Sequence, residues 1–214
     1  MMRIPSHSET RRLLAAIDPR DPFAERDQVM LILAMNTGLR VSELVGLDIG
    51  HVAHQGVPRQ ALHLPRSITK GERERTIPLN EPTRQAIQVL LAFKRKRGFS
   101  VAPDAPVFVT RKHQRVSVRL VQRLVQHLRE IAGLDVPLTP HTLRHGFATD
   151  IMHATGNLRV VQQLLGHRRL ATVEIYAHVS RELCAQAVEQ IAYLTAGLQA
   201  AVSLIARRPM PPCA

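Results

Sequence analysis

The stretch Thr139-Pro140-His141-Thr142-Leu143-Arg144-His145-Gly146-Phe147-Ala148-Thr149 decides the fold of this chain. A threonine followed by a proline is typical of a helix start, because the hydroxyl caps free backbone N–H groups and proline suits the first helical position. We therefore predict a helix from Pro140 to Thr155. His141 and Arg144, three residues apart, then share one face of it, where an imidazole and a guanidinium can hold one phosphate while a proton moves.

The bulk composition predicts a polyanionic partner. The chain has 214 residues, a formal charge of +12 and 3% aromatic residues. A basic surface attracts nucleic acid because neutralising phosphates releases their counterions. The longest apolar run, 29–35, is too short to cross a bilayer, so we expect no membrane partner and a cytoplasmic location. Cys184 and Cys213 show no metal-binding spacing, which fits a reducing compartment.

Apolar periodicity and capping residues predict a mixed α+β fold that is mostly helical. Besides Pro140–Thr155, we predict helices over Ser6–Ile17, Asp27–Asn36, Val41–Leu47, Glu81–Arg97, Val116–Ala132, Leu158–Leu165, Leu170–Val179 and Arg181–Ala206. Alternation of apolar and polar residues in Ala61–Leu64 and Arg75–Leu79 predicts a small antiparallel sheet of two or three strands, with Lys70 at or beside a turn. Residues 107–109 suit a further short strand or an extended segment.

Arg40 follows Gly38 at a junction between two predicted helices, where its side chain can project into a cleft. Arg40 and Arg144 together could clamp the oxygens of a phosphodiester through bidentate hydrogen bonds. Such positioning and charge stabilisation are most of the work in phosphoryl transfer. Arg40 can also form an ion pair with Glu43 at the start of its helix.

Three more side chains complete a set of groups suited to phosphodiester chemistry. Only four of the 29 basic residues are lysines, and Lys70 lies in a segment whose other cations are arginines. A leaving alkoxide needs a general acid, and an ammonium can give up a proton near neutral pH whereas a guanidinium does not. Tyr176 offers a phenol that becomes nucleophilic with assistance, and His167 follows a glycine that can turn its ring towards a cleft.

A metal-dependent nuclease is the competing use of the histidines. His141 and His145 form an i, i+4 pair that could ligate zinc or magnesium. No Asp or Glu accompanies the pair at a ligand-like spacing, and Asp150 is the nearest acid. We therefore predict no metal and no other cofactor.

Taken together, these residues resemble the boxes of the tyrosine recombinase family, which includes phage integrases and Xer-like proteins. The opening stretch is one box, and the others are Thr37-Gly38-Leu39-Arg40-Val41-Ser42-Glu43-Leu44, Val161-Gln162-Gln163-Leu164-Leu165-Gly166-His167 and Ile175-Tyr176-Ala177-His178. The intervals from His141 through Arg144 and His167 to Tyr176 match the family pattern, and the resemblance runs from about Ser6 to Arg181.

The resemblance implies a site-specific DNA recombinase that cleaves and rejoins strands through a 3′-phosphotyrosyl intermediate without metal or ATP. Tyr176 would attack the scissile phosphate and His141 would act as its base. Arg40 and Arg144 would hold the phosphate, and His167 would donate a further hydrogen bond. Lys70 would protonate the leaving 5′-oxygen.

The family also implies an organisation and partners. Residues 1–181 would be a recombinase catalytic domain without the usual N-terminal DNA-binding domain, and 182–214 a C-terminal helix and tail exchanged between protomers. The partners would be double-stranded DNA, a homotetramer on two DNA sites and accessory DNA-binding proteins. Two alternatives stay open: a DNA-binding protein that keeps the fold without completing recombination, and a type IB topoisomerase-like enzyme that relaxes supercoils.

Overall fold

The computed structural model describes residues 5–69, 74–166 and 181–190, and these are mostly helical. The helices are α1 (His7–Ala15), α2 (Ala24–Thr37), α3 (Val41–Gly46), α4 (Ile49–Val52), α5 (Glu81–Lys96), α6 (Val118–Ile131), α7 (Pro140–Thr155), α8 (Leu158–Leu165) and α9 (Arg181–Gln190). Within this part of the chain, no helix is long and apolar enough to cross a membrane.

The β structure consists of two antiparallel ladders, where the sequence predicts one sheet of two or three strands. Strands β3 (Ala61–Leu64) and β4 (Arg75–Pro78) pair as the alternation predicts. The unexpected ladder joins β1 (Ala53–His54) to β2 (Val57–Pro58). These strands have two residues each, too short to show alternation. Residues 107 and 108 lie in a bend, and Val109 forms an isolated bridge to Arg115, so this segment is not a strand.

Helix α2 forms the centre of the hydrophobic core. Nearly all its side chains are buried, including Met30 and Leu33 at 0% exposure. It packs against α5 on one side and α7 on another. A helix buried all round carries apolar residues on every face, which explains why its sequence shows an apolar run rather than a stripe.

Two left-handed glycines bring the ends of α2 and α8 towards α7. Gly38 ends α2 with φ +58°, and a Cβ there would collide with the ring of Phe147 on α7. Gly166 ends α8 with φ +69°. Both positions favour glycine because L side chains rarely adopt this conformation. The predicted junction before Arg40 is therefore confirmed, and it lies directly against α7.

Capping predicted the helix boundaries well where the cap is local. Helix α7 covers the predicted Pro140–Thr155, and the Thr139 hydroxyl accepts from the backbone N–H of Thr142 at 3.2 Å. Helix α8 also has its predicted bounds. The structure describes the first ten residues of the predicted helix Arg181–Ala206 as α9. The predicted helix Leu170–Val179 lies outside the described residues.

Candidate active site

The carboxylate of Glu43 is the centre of the candidate site. It lies in the first turn of α3 and is 1% exposed. Arg75, the first residue of β4, forms bidentate hydrogen bonds with this carboxylate: Nη1 donates to Oε1 at 2.9 Å and Nη2 donates to Oε2 at 2.7 Å. This fork-to-fork pairing is the strongest arrangement open to an arginine and a carboxylate.

Arg144 projects from α7 into the same cluster. It is 5% exposed, and its Nη1 lies 3.8 Å from Oε2 of Glu43. Nη1 also donates to the carbonyl of Gly38 at 2.6 Å, and Nη2 donates to the carbonyl of Leu165 at 2.8 Å. One guanidinium thus joins the C-terminal ends of α2 and α8, where helix carbonyls need donors from outside the helix.

Arg40 completes the cluster from the position just before α3. Its backbone N–H donates to Oε2 of Glu43 at 2.8 Å, and its Nη1 lies 3.4 Å from Oε1. The predicted ion pair between Arg40 and Glu43 is therefore confirmed. The Arg40 side chain is 34% exposed, in contrast to the buried guanidiniums of Arg75 and Arg144.

The charge of this cluster suits an anion. Burial alone would raise the pKa of the Glu43 carboxyl, but the hydrogen bonds and charge of Arg75, the backbone N–H of Arg40 and the charge of Arg144 outweigh it, so the pKa lies below its usual range. Among the described residues, three guanidiniums therefore lie around one ionised carboxylate, so the cations of this cluster outnumber its anions. A phosphodiester, with one negative charge, would offset part of this positive charge.

His141 lies on the first turn of α7, one turn before His145, and both side chains are exposed. Their Nε2 atoms are 3.0 Å apart, so one ring donates a hydrogen bond to the other. The pKa of His145 is lowered by partial burial first and then by the neighbouring charges of His141 and Arg144. A lowered pKa favours the neutral form of the His145 ring.

Three of the six predicted site residues lie within the described chain. The structure brings Arg40 and Arg144 together at Glu43 and places His141 one turn before Arg144 on the same helix. Lys70, His167 and Tyr176 lie outside the described residues, and their roles stay predictions.

Arg75 is the residue of this cluster that sequence reasoning missed. In a segment with three arginines it counted only as background for Lys70. The available signal was its register: Arg75 and Ile77 are buried and Thr76 is exposed, so the arginine lies on the inward face of β4. A charged residue at an inward strand position is rare unless it is paired.

Across residues 5–69, 74–166 and 181–190, no group of three or more His, Cys, Asp or Glu side chains is arranged to hold a metal ion. His141 and His145 contact each other, and Asp150 instead approaches His7, with its Oδ1 3.3 Å from Nε2.

The fold is that of solved DNA-strand recombinases and integrases. The crystal structure of XerA recombinase superposes with a TM-score of 0.65 at 22% identity, covering 98% of this chain and 68% of that one. The Tn1549 transposon integrase, solved in complex with transposon right end DNA, gives a TM-score of 0.64 at 20% identity over 90% of this chain and 66% of that one. Such distant likenesses show the fold alone.

Sequence comparison then identifies the family. The chain belongs to the Phage integrase family, whose profile matches residues 5–182. It is 38% identical over 179 residues to tyrosine recombinase XerD of Vibrio cholerae, covering 83% of this chain and 57% of that protein. The chain thus spans a little over half the length of the curated relatives it matches. The predicted family and fold class are confirmed.

Proposed function

We propose that this chain is the catalytic part of a site-specific DNA recombinase that cleaves and rejoins strands through a covalent link to Tyr176. The observation that carries the proposal is the cluster at Glu43. Arg40 precedes α3 and Arg144 lies on α7, yet both guanidiniums lie within 4.0 Å of one buried carboxylate. Held side by side, they form a preorganised site for an anionic transition state.

Three features support the division of labour between the two arginines. Arg144 is buried and its Nη atoms are fixed on two backbone carbonyls, so its position is set before DNA arrives. Arg40 is one-third exposed, so it is the arginine that reaches a phosphate at the protein surface. Glu43 offsets the repulsion between them, since two bare guanidiniums would otherwise repel each other.

The proposed reaction uses the remaining predicted residues for proton transfer. The Tyr176 oxygen attacks phosphorus, the bond from phosphorus to the 5′-oxygen breaks, and a 3′-phosphotyrosyl link forms. His141 takes the phenol proton, and Lys70 gives one to the leaving 5′-oxygen. His167 donates a hydrogen bond to the phosphate. Attack by a 5′-hydroxyl on the link reverses these steps, so joining needs neither ATP nor a metal.

The proposed partner is double-stranded DNA, bound by a homotetramer that spans two sites, with accessory DNA-binding proteins. The charge of +12 supports a nucleic-acid partner. The predicted exchange between protomers covers residues 182–214, and in the proposed assembly it involves the part beyond α9. The described first part of this region packs on its own chain: Asn80 donates to the Val188 carbonyl at 3.2 Å, and Cys184, Ala187 and Val188 are buried. Exchange would therefore begin beyond α9.

The test is incubation with a nicked suicide duplex, followed by denaturing electrophoresis. We expect a covalent protein–DNA adduct that is lost in Tyr176→Phe while DNA binding survives. Binding without an adduct in the unaltered protein would favour a DNA-binding protein that keeps only the fold. An adduct accompanied by supercoil relaxation without synapsis would favour a type IB topoisomerase-like enzyme.

A further inference from the structure

We propose that Arg75 is a positioning residue for strand cleavage, which acts through Glu43 and Arg144 and never touches the DNA. This inference rests on the proposed function. Arg75 is 7% exposed and lies behind Glu43, whereas Arg40 provides the exposed side of the cluster.

Arg75 fixes the orientation of the Glu43 carboxylate. The carboxylate has two oxygens, and Arg75 binds both, at 2.9 and 2.7 Å. With both oxygens held, the plane of the carboxylate is fixed. That plane determines where Glu43 meets the Arg40 backbone N–H and the Nη1 of Arg144.

Arg75 also binds the C-terminal end of α8. The Nε of Arg75 donates to the carbonyl of Leu164 at 3.0 Å, and Nη2 of Arg144 donates to the next carbonyl, that of Leu165, at 2.8 Å. Two arginines on different elements thus hold consecutive carbonyls just before His167. A Cβ on Gly166 would lie 3.0 Å from both Cδ and Nη1 of Arg75, so the glycine leaves room for the arginine.

A lysine at this position could not reproduce these contacts. Arg75 uses Nε, Nη1 and Nη2 in three fixed directions. A lysine ammonium supplies the same charge from one point and lacks the planar fork. Lysine would therefore neutralise Glu43, but it could not both fix the plane of the carboxylate and donate to the Leu164 carbonyl at the end of α8.

The experiment compares Arg75→Lys with the unaltered protein at saturating protein over a nicked suicide duplex, where the cleavage rate of bound DNA is independent of the folded fraction. We expect the rate to fall about 10- to 100-fold, below the 10²–10³ typical of losing a donor that contacts the reacting group. The dissociation constant for DNA should change less than threefold. Arg75→Gln is measured alongside, in case the lysine variant does not fold.

Arg26→Lys is the matched control, since Arg26 is also buried, donates to the carboxylate of Asp27 at 2.7 Å and holds the Val109 carbonyl at 3.0 Å. Because Arg26 lies near the far end of α2, about 18 Å along the helix from Gly38 at 1.5 Å per residue, its loss should leave the cleavage rate within twofold.

A 5′-thio leaving group separates Arg75 from Lys70. A thiolate leaves without a general acid, so this substrate should restore cleavage by Lys70→Arg but not by Arg75→Lys. The proposal is overturned if folded Arg75→Lys cleaves within twofold of the unaltered protein, or if the 5′-thio substrate fully restores it. An unaltered protein that forms no adduct would instead refute the proposed function.

Discussion

Helix α2 has a buried ion cluster near each end, and the two clusters differ in their balance of charge. Near its start, Arg26 and Asp27 pair one to one at 2.7 Å. Burial raises the pKa of Asp27 despite the opposing charge of Arg26, and Asp21 adds to the rise. Beyond its end, three guanidiniums surround Glu43; burial acts to raise the pKa of Glu43, but Arg75, the backbone N–H of Arg40 and the charge of Arg144 together lower it.

The difference shows what each cluster is suited to do. A single guanidinium does not offset the cost of burying Asp27, so that pair is consistent with a structural role. Glu43 has three described guanidiniums around its single negative charge, and one of them, that of Arg40, is partly exposed. A positive excess at a partly exposed position is a feature of an anion site rather than of a core pair.

The largest expected effect is on stability, in Glu43→Gln. Removing the only carboxylate that the described contacts place among three guanidiniums should lower the free energy of unfolding by about 3–5 kcal/mol, as for other broken buried pairs. Asp27→Asn should cost at most about 1 kcal/mol, since the amide oxygen can still accept the hydrogen bond of Arg26 and burial already disfavours the ionised carboxylate. Urea unfolding at pH 7 measures both.

The same two variants should differ in the pH dependence of stability. Because the pKa of Glu43 is lowered from its ordinary 4.5, its contribution is present above pH 4.5 and is lost as pH falls below it. The pKa of Asp27 is raised from 3.8, so its contribution to stability falls as pH rises from 3.8 through the higher pKa that it has in the fold. The comparison would be contradicted if Glu43→Gln and Asp27→Asn lost the same free energy of unfolding and changed its pH dependence in the same direction.

The second effect is on catalysis, in Arg144→Lys. Loss of the fork should slow single-turnover cleavage by about 10²–10³, the range for removing one oriented donor in other catalytic sites. Arg26→Lys, at the balanced pair, should change the rate less than twofold. A slow Arg26→Lys enzyme would show that the two clusters are not functionally distinct.

The smallest expected effect concerns a third buried charge, Lys94, whose Nζ donates to the carbonyl of Pro106 rather than to a carboxylate. Burial and then the charge of Arg115 lower its pKa to about 8. Since the unfolded value is 10.5, stability should rise between pH 8 and 10.5, by up to about 3 kcal/mol at 1.36 kcal/mol per pKa unit. Lys94→Met should remove this rise in the free energy of unfolding, measured by urea titration at several pH values. An unchanged rise would show that another group causes it.

The sequence predicted the parts of the site that depend on local signals. Thr139 and Pro140 define the start of α7, and Gly38 and Gly166 define the ends of α2 and α8, because caps act within one turn. These local elements were enough to predict that Arg40 lies at a junction between helices and that Arg144 lies on α7, three residues after His141.

Contacts between distant segments were beyond that reasoning. Arg75 and Glu43 are 32 residues apart, and their fork exists only because β4 pairs with β3 and packs beside α8. Neither residue has a local motif that names the other. The β1–β2 hairpin was missed for a different reason: its strands have two residues each, too short to show alternation, and its turn begins with Gln55, a non-glycine at φ +49°.

The most direct test of the account is to locate the covalent link. The adduct formed on a suicide duplex is digested with protease and nuclease, and the remaining nucleotide is located on the peptide by mass spectrometry. The account predicts one modified peptide, with a nucleotide 3′-phosphate on the oxygen of Tyr176. A nucleotide on any other residue, or a link through its 5′-phosphate, would contradict it.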